Sequence, residues 1–294
     1  MAAGELDAVL KRLDALVGRV EALLPSPPPA PDWNVSIAFQ WRHPPSGTGY
    51  LQAVEHPHGI RLADLQGIDT QKRNLARNTR QFVAGLPANS ALLWGARGTG
   101  KSSLIKALLN EFADQGLRLV EVEKDHLTDL PDLVAQLGDR PERFLIFCDD
   151  LSFEAGDPSY KALKVILDGS IHATPRNVLV YATSNRRHLM PETMQDNQQA
   201  RVVEGELHPG EAIDEKVALS DRFGLWVSFY PFDQETFLHI VFYWLERLDV
   251  NVPDRETVRS EALRWALARG VRSGRSAWQF AQDWAGREGL AEPG

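Results

Sequence analysis

The chain has 294 residues, 43% of them hydrophobic and 24% charged, with a formal net charge of −8. That is enough chain for a large core plus a second small domain. The acidic balance argues against a broad nucleic-acid footprint and leaves nucleic acid a less favoured partner, served only by the local basic clusters Arg186–Arg187 and 269–275. No apolar run reaches the length of a membrane span, the N-terminus lacks a signal peptide's apolar core, and the single cysteine, Cys148, excludes an internal disulfide, so no membrane partner and a cytoplasmic location are expected.

In chain order, residues 5–24 read as a helix. Leu6, Leu10, Leu13, Val17, Val20 and Leu24 recur four and three apart, which is heptad spacing. The stripe suits either a helix packed on its own domain or a short coiled coil pairing chains. PSPPPAPD ends it with a stiff, extended linker over 25–32. Residues 33–66 are a small strand-rich segment: SIAFQW suggests a strand, HPPSGTG a turn and YLQAV a second strand. A long helix over 69–84 follows.

From there short apolar runs alternate with helical patterns: ALLW, LRLVEV, LTDLPDLVAQLG, FLIFC, YKALKVILDGSI, VLVYA and LWVSFY. This alternation predicts a parallel sheet covered on both faces, an α/β domain over 67–232. The remainder, 233–288, holds no strand pattern and reads as three amphipathic helices over 234–248, 255–268 and 276–284.

ALLW leads directly into GARGTGKSS. Gly95, Ala96, Arg97, Gly98, Thr99, Gly100, Lys101 and Ser102 match G-x-x-x-x-G-K-S in full, and Ser103 continues into the helix SSLIKALLNEF. Gly98 and Gly100 let the backbone turn tightly, so that consecutive amides face a phosphate, and the helix N-terminus adds partial positive charge. In this pattern Lys101 reaches the β- and γ-phosphates and the Ser102 hydroxyl ligates Mg²⁺. Without a nucleotide the lysine is expected to stand exposed. A chance glycine-rich turn is the competing reading; the strand before, the helix after and an acidic strand downstream weigh against it.

That acidic strand is FLIFCDDLSFE. A buried apolar run ends in Asp149 and Asp150, and carboxylates at such a position are costly without a cation opposite. Asp149 is placed to hold Mg²⁺ through water, and Asp150 to orient the attacking water, with Glu154 its rival. The next apolar strand, VLVYA, ends in Thr183, Ser184 and Asn185, neutral hydrogen-bonding groups that fall beside the γ-phosphate if this strand lies between the other two. Taken alone, such a tip is equally an ordinary turn. The polar stretch 191–216 is long enough to be a partner loop or a solvated insertion, with a helix expected over 211–219. His56 and His58 lack any cysteine or histidine at metal spacing and read as a turn, and the aromatic runs WVSFYPF and Phe242–Tyr243–Trp244 suit core or lid packing.

The order of phosphate loop, FCDD, ATSNRRHL, SDRFG and a helical tail with SGR resembles the AAA+ ATPases. More narrowly, LADLQGIDTQKRNLARNT, LLWGARGTGKSSLIKALL, FLIFCDDLSFE, YKALKVILDGS, YATSNRRHL, DEKVALSDRFGL and RSGRSAWQF resemble the bacterial AAA+ family known as domain of unknown function 815, across nearly all of 33–285. The resemblance implies a P-loop parallel sheet sandwiched by helices, followed by a helical lid domain. It places Gly67 and Ile68 against adenine, makes Asn185 a first sensor of the γ-phosphate, Arg222 an arginine finger acting on a neighbouring subunit, and Arg275 a second sensor in the lid with Arg272 as competitor.

It further implies ATP and Mg²⁺ as cofactors, a homo-oligomer (a ring or spiral, such as a hexamer) and a protein partner that is remodelled or loaded. Two departures stand out. EVEKDHLTDL lacks the aromatic–apolar–glycine tripeptide that polypeptide-threading members carry after the second strand, and Asp150 stands where hydrolytic members carry glutamate. The expected function is therefore a Mg²⁺-dependent ATPase, with an ATP-operated oligomeric switch that hardly hydrolyses as the alternative and a small-molecule phosphotransferase last.

Overall fold

The computed structural model describes residues 11–16, 30–44, 48–154, 157–168, 175–187, 189, 201–203, 206–208 and 219–291. Two units are compact, Met1–Pro31 and Asp32–Gly294. In the first, residues 11–16 are helical and Leu13 and Leu16 are exposed; the rest of the leucine stripe expected over 5–24 lies outside the described residues.

The second unit carries strands β1 (Ala38–Arg42), β2 (Tyr50–Ala53), β3 (Ala91–Gly95), β4 (Leu117–Glu121), β5 (Arg143–Cys148), β6 (Val178–Ser184), β7 (Arg201–Val203), β8 (Glu206–His208) and β9 (Leu225–Phe229). Its helices are α1 (Asp69–Val83), α2 (Lys101–Phe112), α3 (Leu130–Gly138), α4 (Pro158–Asp168), α5 (Gln234–Arg247), α6 (Arg255–Ala268) and α7 (Gly274–Ala291). Seven strands form one sheet in the order β2-β1-β4-β5-β6-β3-β9, parallel throughout except for the β1–β2 pair. β3, β5, β6 and β9 therefore finish at the same edge, which is where ligands bind in open α/β sheets.

Side chains alternate across this sheet with period two. Along β5, Leu145 and Phe147 join the core on one face with α1, α2 and the C-terminal helices, while Phe144, Ile146 and Cys148 join the core on the other face with α3 and α4. β3 divides likewise, Ala91 and Leu93 on one side and Leu92 on the other. Both faces are covered, so the apolar runs are continuous rather than alternating. Tyr181 brings a hydroxyl into the first core. Asn78 Nδ2 donates to it at 2.9 Å and Thr79 Oγ1 lies at 3.0 Å, which satisfies a group that burial would otherwise make costly.

The C-terminal helices start at caps legible in the chain. The Asp233 carboxylate accepts from the Thr236 amide at 2.7 Å, Asp254 accepts from the Glu256 and Thr257 amides, and Ser273 Oγ accepts from the Ser276 amide at 3.2 Å. That serine precedes α7, which starts at Gly274, two residues before the expected 276, and runs past 284 to Ala291 with Arg287 paired to Asp283 and Glu261. One further difference concerns a loop. Residues 201–208 contain an antiparallel ribbon, β7–β8, inside what reads as an irregular insertion, and of the helix expected over 211–219 only residue 219 is described. Among the described residues no helix is long and apolar enough to cross a membrane.

Candidate functional site

Gly95 closes β3 with φ at 130°, and a Cβ there would collide with the Phe229 carbonyl oxygen of β9. Gly98, at φ 73°, faces the start of α7: a Cβ would lie 2.9 Å from Ser273 Oγ and 3.1 Å from Arg275 Cβ. The Arg275 amide donates to the Gly98 carbonyl at 3.1 Å, so the lid is tied to the loop backbone to backbone. α2 begins at Lys101 and presents its first amides, those without intrahelical partners, toward the same space.

Lys101 is not exposed, contrary to the expectation from sequence. It is 7% accessible, because the loop's own carbonyls turn inward around its ammonium: Nζ donates to Gly95 O and Ala96 O at 2.8 Å each and to Asn185 Oδ1 at 3.2 Å. Burial lowers its pKa, the charges of Asp150 and Asp149 oppose that, and Arg97 and Arg275 add to the lowering.

β5 ends at Cys148, so Asp149 and Asp150 stand just beyond the strand and are exposed rather than buried. Neither is without partners. Asp149 Oδ1 accepts from Ser102 Oγ at 2.6 Å and from Thr183 Oγ1. Asp150, a non-glycine residue at φ 51°, has its carboxylate held by the Asn185 amide and its own N–H donated to Thr183 Oγ1 at 2.9 Å. The Leu151 amide donates to the Thr183 carbonyl at 2.7 Å, and Ser184 Oγ donates to the Leu151 carbonyl at 2.8 Å. The TSN tip is thus more than a turn: it binds the DDL tip residue by residue. Cys148, at the end of the strand, is a core residue whose thiol is pushed up to about 12 by burial and by the Asp149 charge.

A cavity of about 860 Å³ is lined by Arg97, Gly98, Thr99, Gly100, Lys101, Ser102, Ser103, Asp149, Asp150, Asn185, Ile68 and Arg275. Gly95 and Ala96 lie behind the loop and contribute carbonyls to Lys101. Gly67 is not on this wall but packs toward Thr236 and Phe232. Arg222 is also off it, in the turn before β9, ion-paired with Asp168 at the end of α4. Glu154 and Arg272 do not line the cavity either. Ser102 Oγ and Asp149 Oδ1, adjacent on the wall, are hard oxygen donors, and a pair of this kind suits Mg²⁺ completed by phosphate and water.

The far end of the cavity was not foreseen. Leu65 lines it from the segment before α1, Phe232 from the link between β9 and α5, and Ile240, Trp244 and Trp278 from the lid. Asp64, also on the wall, accepts from the Arg61 amide at 2.8 Å, Arg61 Nη2 at 3.0 Å and the Tyr243 hydroxyl at 2.8 Å. Burial would raise its pKa, but the Arg61 hydrogen bonds, the Tyr243 hydroxyl and the Arg61 charge hold it at about 2. The aromatic run around Tyr243 was visible in the sequence; that it meets Asp64, 179 residues away, was not.

The parallel sheet between helical layers, the strand–loop–helix at Gly95–Ser102 and the appended helices define a P-loop fold of the AAA+ type. The chain belongs to the family described as Protein of unknown function (DUF815), which matches residues 34–288. Among solved structures, the FIGL-1 AAA domain in complex with ADP aligns with a TM-score of 0.50 at 19% identity, over 78% of this chain and 73% of that one, a likeness of fold. The Thermotoga maritima RuvB Holliday junction branch migration motor aligns with a TM-score of 0.46 at 14% identity, over 76% and 71%. No curated protein matches the chain in sequence.

Proposed function

We propose that this protein is a Mg²⁺-dependent ATPase that works as a homo-oligomer, a ring or spiral, and couples turnover to remodelling or loading a protein partner. The observation that carries the reading is the convergence of the phosphate loop, Lys101, the Ser102–Asp149 pair, the Asp150–Asn185 pair and Arg275 on one cavity. The loop amides and Lys101 bind the β- and γ-phosphates, displacing the loop carbonyls from the ammonium. Ser102 and Asp149 would hold Mg²⁺, which would neutralise charge developing on the phosphate oxygens. Asp150 takes a proton from the water that attacks the γ-phosphorus, as the bond to the bridging oxygen of ADP breaks. Asn185, already joined to both Lys101 and Asp150, senses which of them the γ-phosphate engages.

Arg222 suits a role on a neighbour's nucleotide, since it lies off its own chain's cavity. One observation favours a second reading, an ATP-bound switch with little turnover: Asp150 is a methylene shorter than glutamate and its carboxylate is engaged by Asn185. Steady-state phosphate release at several protein concentrations separates the two. The ATPase reading predicts Mg²⁺-dependent turnover that rises with assembly and is lost in Asp150→Asn; tight ATP binding without turnover supports the switch.

A further inference from the structure

We infer that Thr183 is a positioning residue that sets both carboxylates of the site, Asp149 for Mg²⁺ and Asp150 for the attacking water; this rests on the nucleotide reading above. Thr183 is 1% exposed, the next-to-last residue of β6. Its hydroxyl has one proton to give and lone pairs to accept with. The proton goes to Asp149 Oδ1, the same oxygen that Ser102 Oγ reaches from α2. That oxygen is fixed by two hydroxyls from two different elements, one of them the candidate metal ligand itself. A lone pair on the Thr183 hydroxyl takes the Asp150 N–H at 2.9 Å, and the Thr183 carbonyl takes the next N–H, that of Leu151, at 2.7 Å.

These two amides flank the Asp150 α-carbon, so one residue anchors the backbone on both sides of it. This matters because Asp150 sits at φ 51°, a conformation that side chains other than glycine rarely adopt and that persists where the surroundings impose it. The left-handed turn aims the Asp150 carboxylate along β6 to Asn185, two residues past Thr183. Without the hydroxyl, Asp149 loses one of its two holds and the Asp150 amide loses its partner. Asp149 is then held by Ser102 alone, and Asp150 keeps Asn185 on its carboxylate but loses the anchor on its own amide.

The test uses the full chain with Thr183→Val, which keeps shape and β-branching but has no hydroxyl, and Thr183→Ser, which keeps the hydroxyl. Thr183→Ala takes the place of the valine variant if that chain unfolds. ATP affinity is measured with Mg²⁺ and with the metal chelated, alongside turnover and thermal unfolding. The valine variant is expected to bind metal-free ATP as the wild type does. It should need about 10-fold to 100-fold more Mg²⁺ to reach its full affinity and lose turnover by a similar factor, the loss typical when a group orienting a metal ligand is removed. Serine should restore both. A valine variant with wild-type Mg²⁺ dependence, or a serine variant as defective as valine, overturns the role given to Thr183. A wild type that binds no ATP, or binds it without regard to Mg²⁺, overturns the nucleotide reading instead.

Discussion

At Asp64, burial and hydrogen bonding pull in opposite directions and the hydrogen bonds prevail. The carboxyl titrates at about 2 in the folded chain against an ordinary 3.8, so its contribution is fully present above the ordinary carboxylate range and is lost as pH falls toward 2. For a residue 6% exposed, that difference corresponds to about 2 kcal/mol. Asp64→Asn should therefore be less stable than wild type by about 2 kcal/mol near neutral pH, with the gap closing between about pH 5 and about pH 2, as read by denaturant unfolding across that range. An equal gap at all pH values would show that the carboxylate charge is not what the Arg61–Tyr243 contacts respond to.

At the phosphate-loop end of the cavity, Asp150→Asn should retain ATP binding and lose most turnover, Asp149→Asn should also weaken Mg²⁺ dependence, and Glu154→Gln should change little because Glu154 is off the cavity wall. Phosphate release decides between them: activity lost in Glu154→Gln and kept in Asp150→Asn would mean that Glu154 is the base. Such residue types and spacings were legible in the chain. The conformation of Lys101 was not, because the carbonyls that enclose it belong to a turn whose inward direction no local pattern reveals.

The elements were legible wherever one pattern dominated, whether helical spacing or an unbroken apolar run. α1 and the central strands fall where apolar spacing puts them, and the site edge follows from the strands being parallel. Two features depend on contacts distant in sequence. β1 joins β4 across roughly eighty residues, which a local reading of SIAFQW does not indicate, and the TSN tip gains its meaning only by lying beside DDL. β9 presses on the end of β3 so closely that Gly95 has no room for a side chain. Gly95→Ala should consequently destabilise the fold by at least about 2 kcal/mol, the order expected when strain is added to a collision with backbone. Thermal unfolding checks this, and an alanine variant as stable as wild type would mean that the β3–β9 register shifts more readily than the pairing implies.

For the molecule as a whole, the proposed assembly is tested at Arg222 and at residues 1–31. Arg222→Ala should bind ATP normally and hydrolyse it poorly, since a guanidinium supplied to a transferring phosphate is worth roughly 10³–10⁵ in rate. Mixed with Lys101→Ala, which lacks a working site but retains the arginine, it should regain part of the activity as total protein concentration rises. Co-assembly without recovery would contradict a shared site. Removing residues 1–31, a unit compact by itself, should leave a folded ATP-binding protein with altered assembly. An insoluble truncation would instead assign the leucine stripe to the core.

The central claim is that the cavity above Lys101 binds ATP through its phosphates, and equilibrium titration of ATP with Mg²⁺ into wild type and Lys101→Ala tests it most directly. Deleting the lysine removes its bonds to the Gly95 and Asn185 oxygens and leaves the Ala96 carbonyl to Thr99 Oγ1, at a cost to stability of about 1–3 kcal/mol, so unfolding is followed in parallel. The account predicts saturable one-site binding by the wild type and an affinity about 100-fold weaker or worse in the folded variant, from loss of the charge-assisted bonds to the β- and γ-phosphates. Equal affinities in the two proteins, or no binding by the wild type, would contradict it.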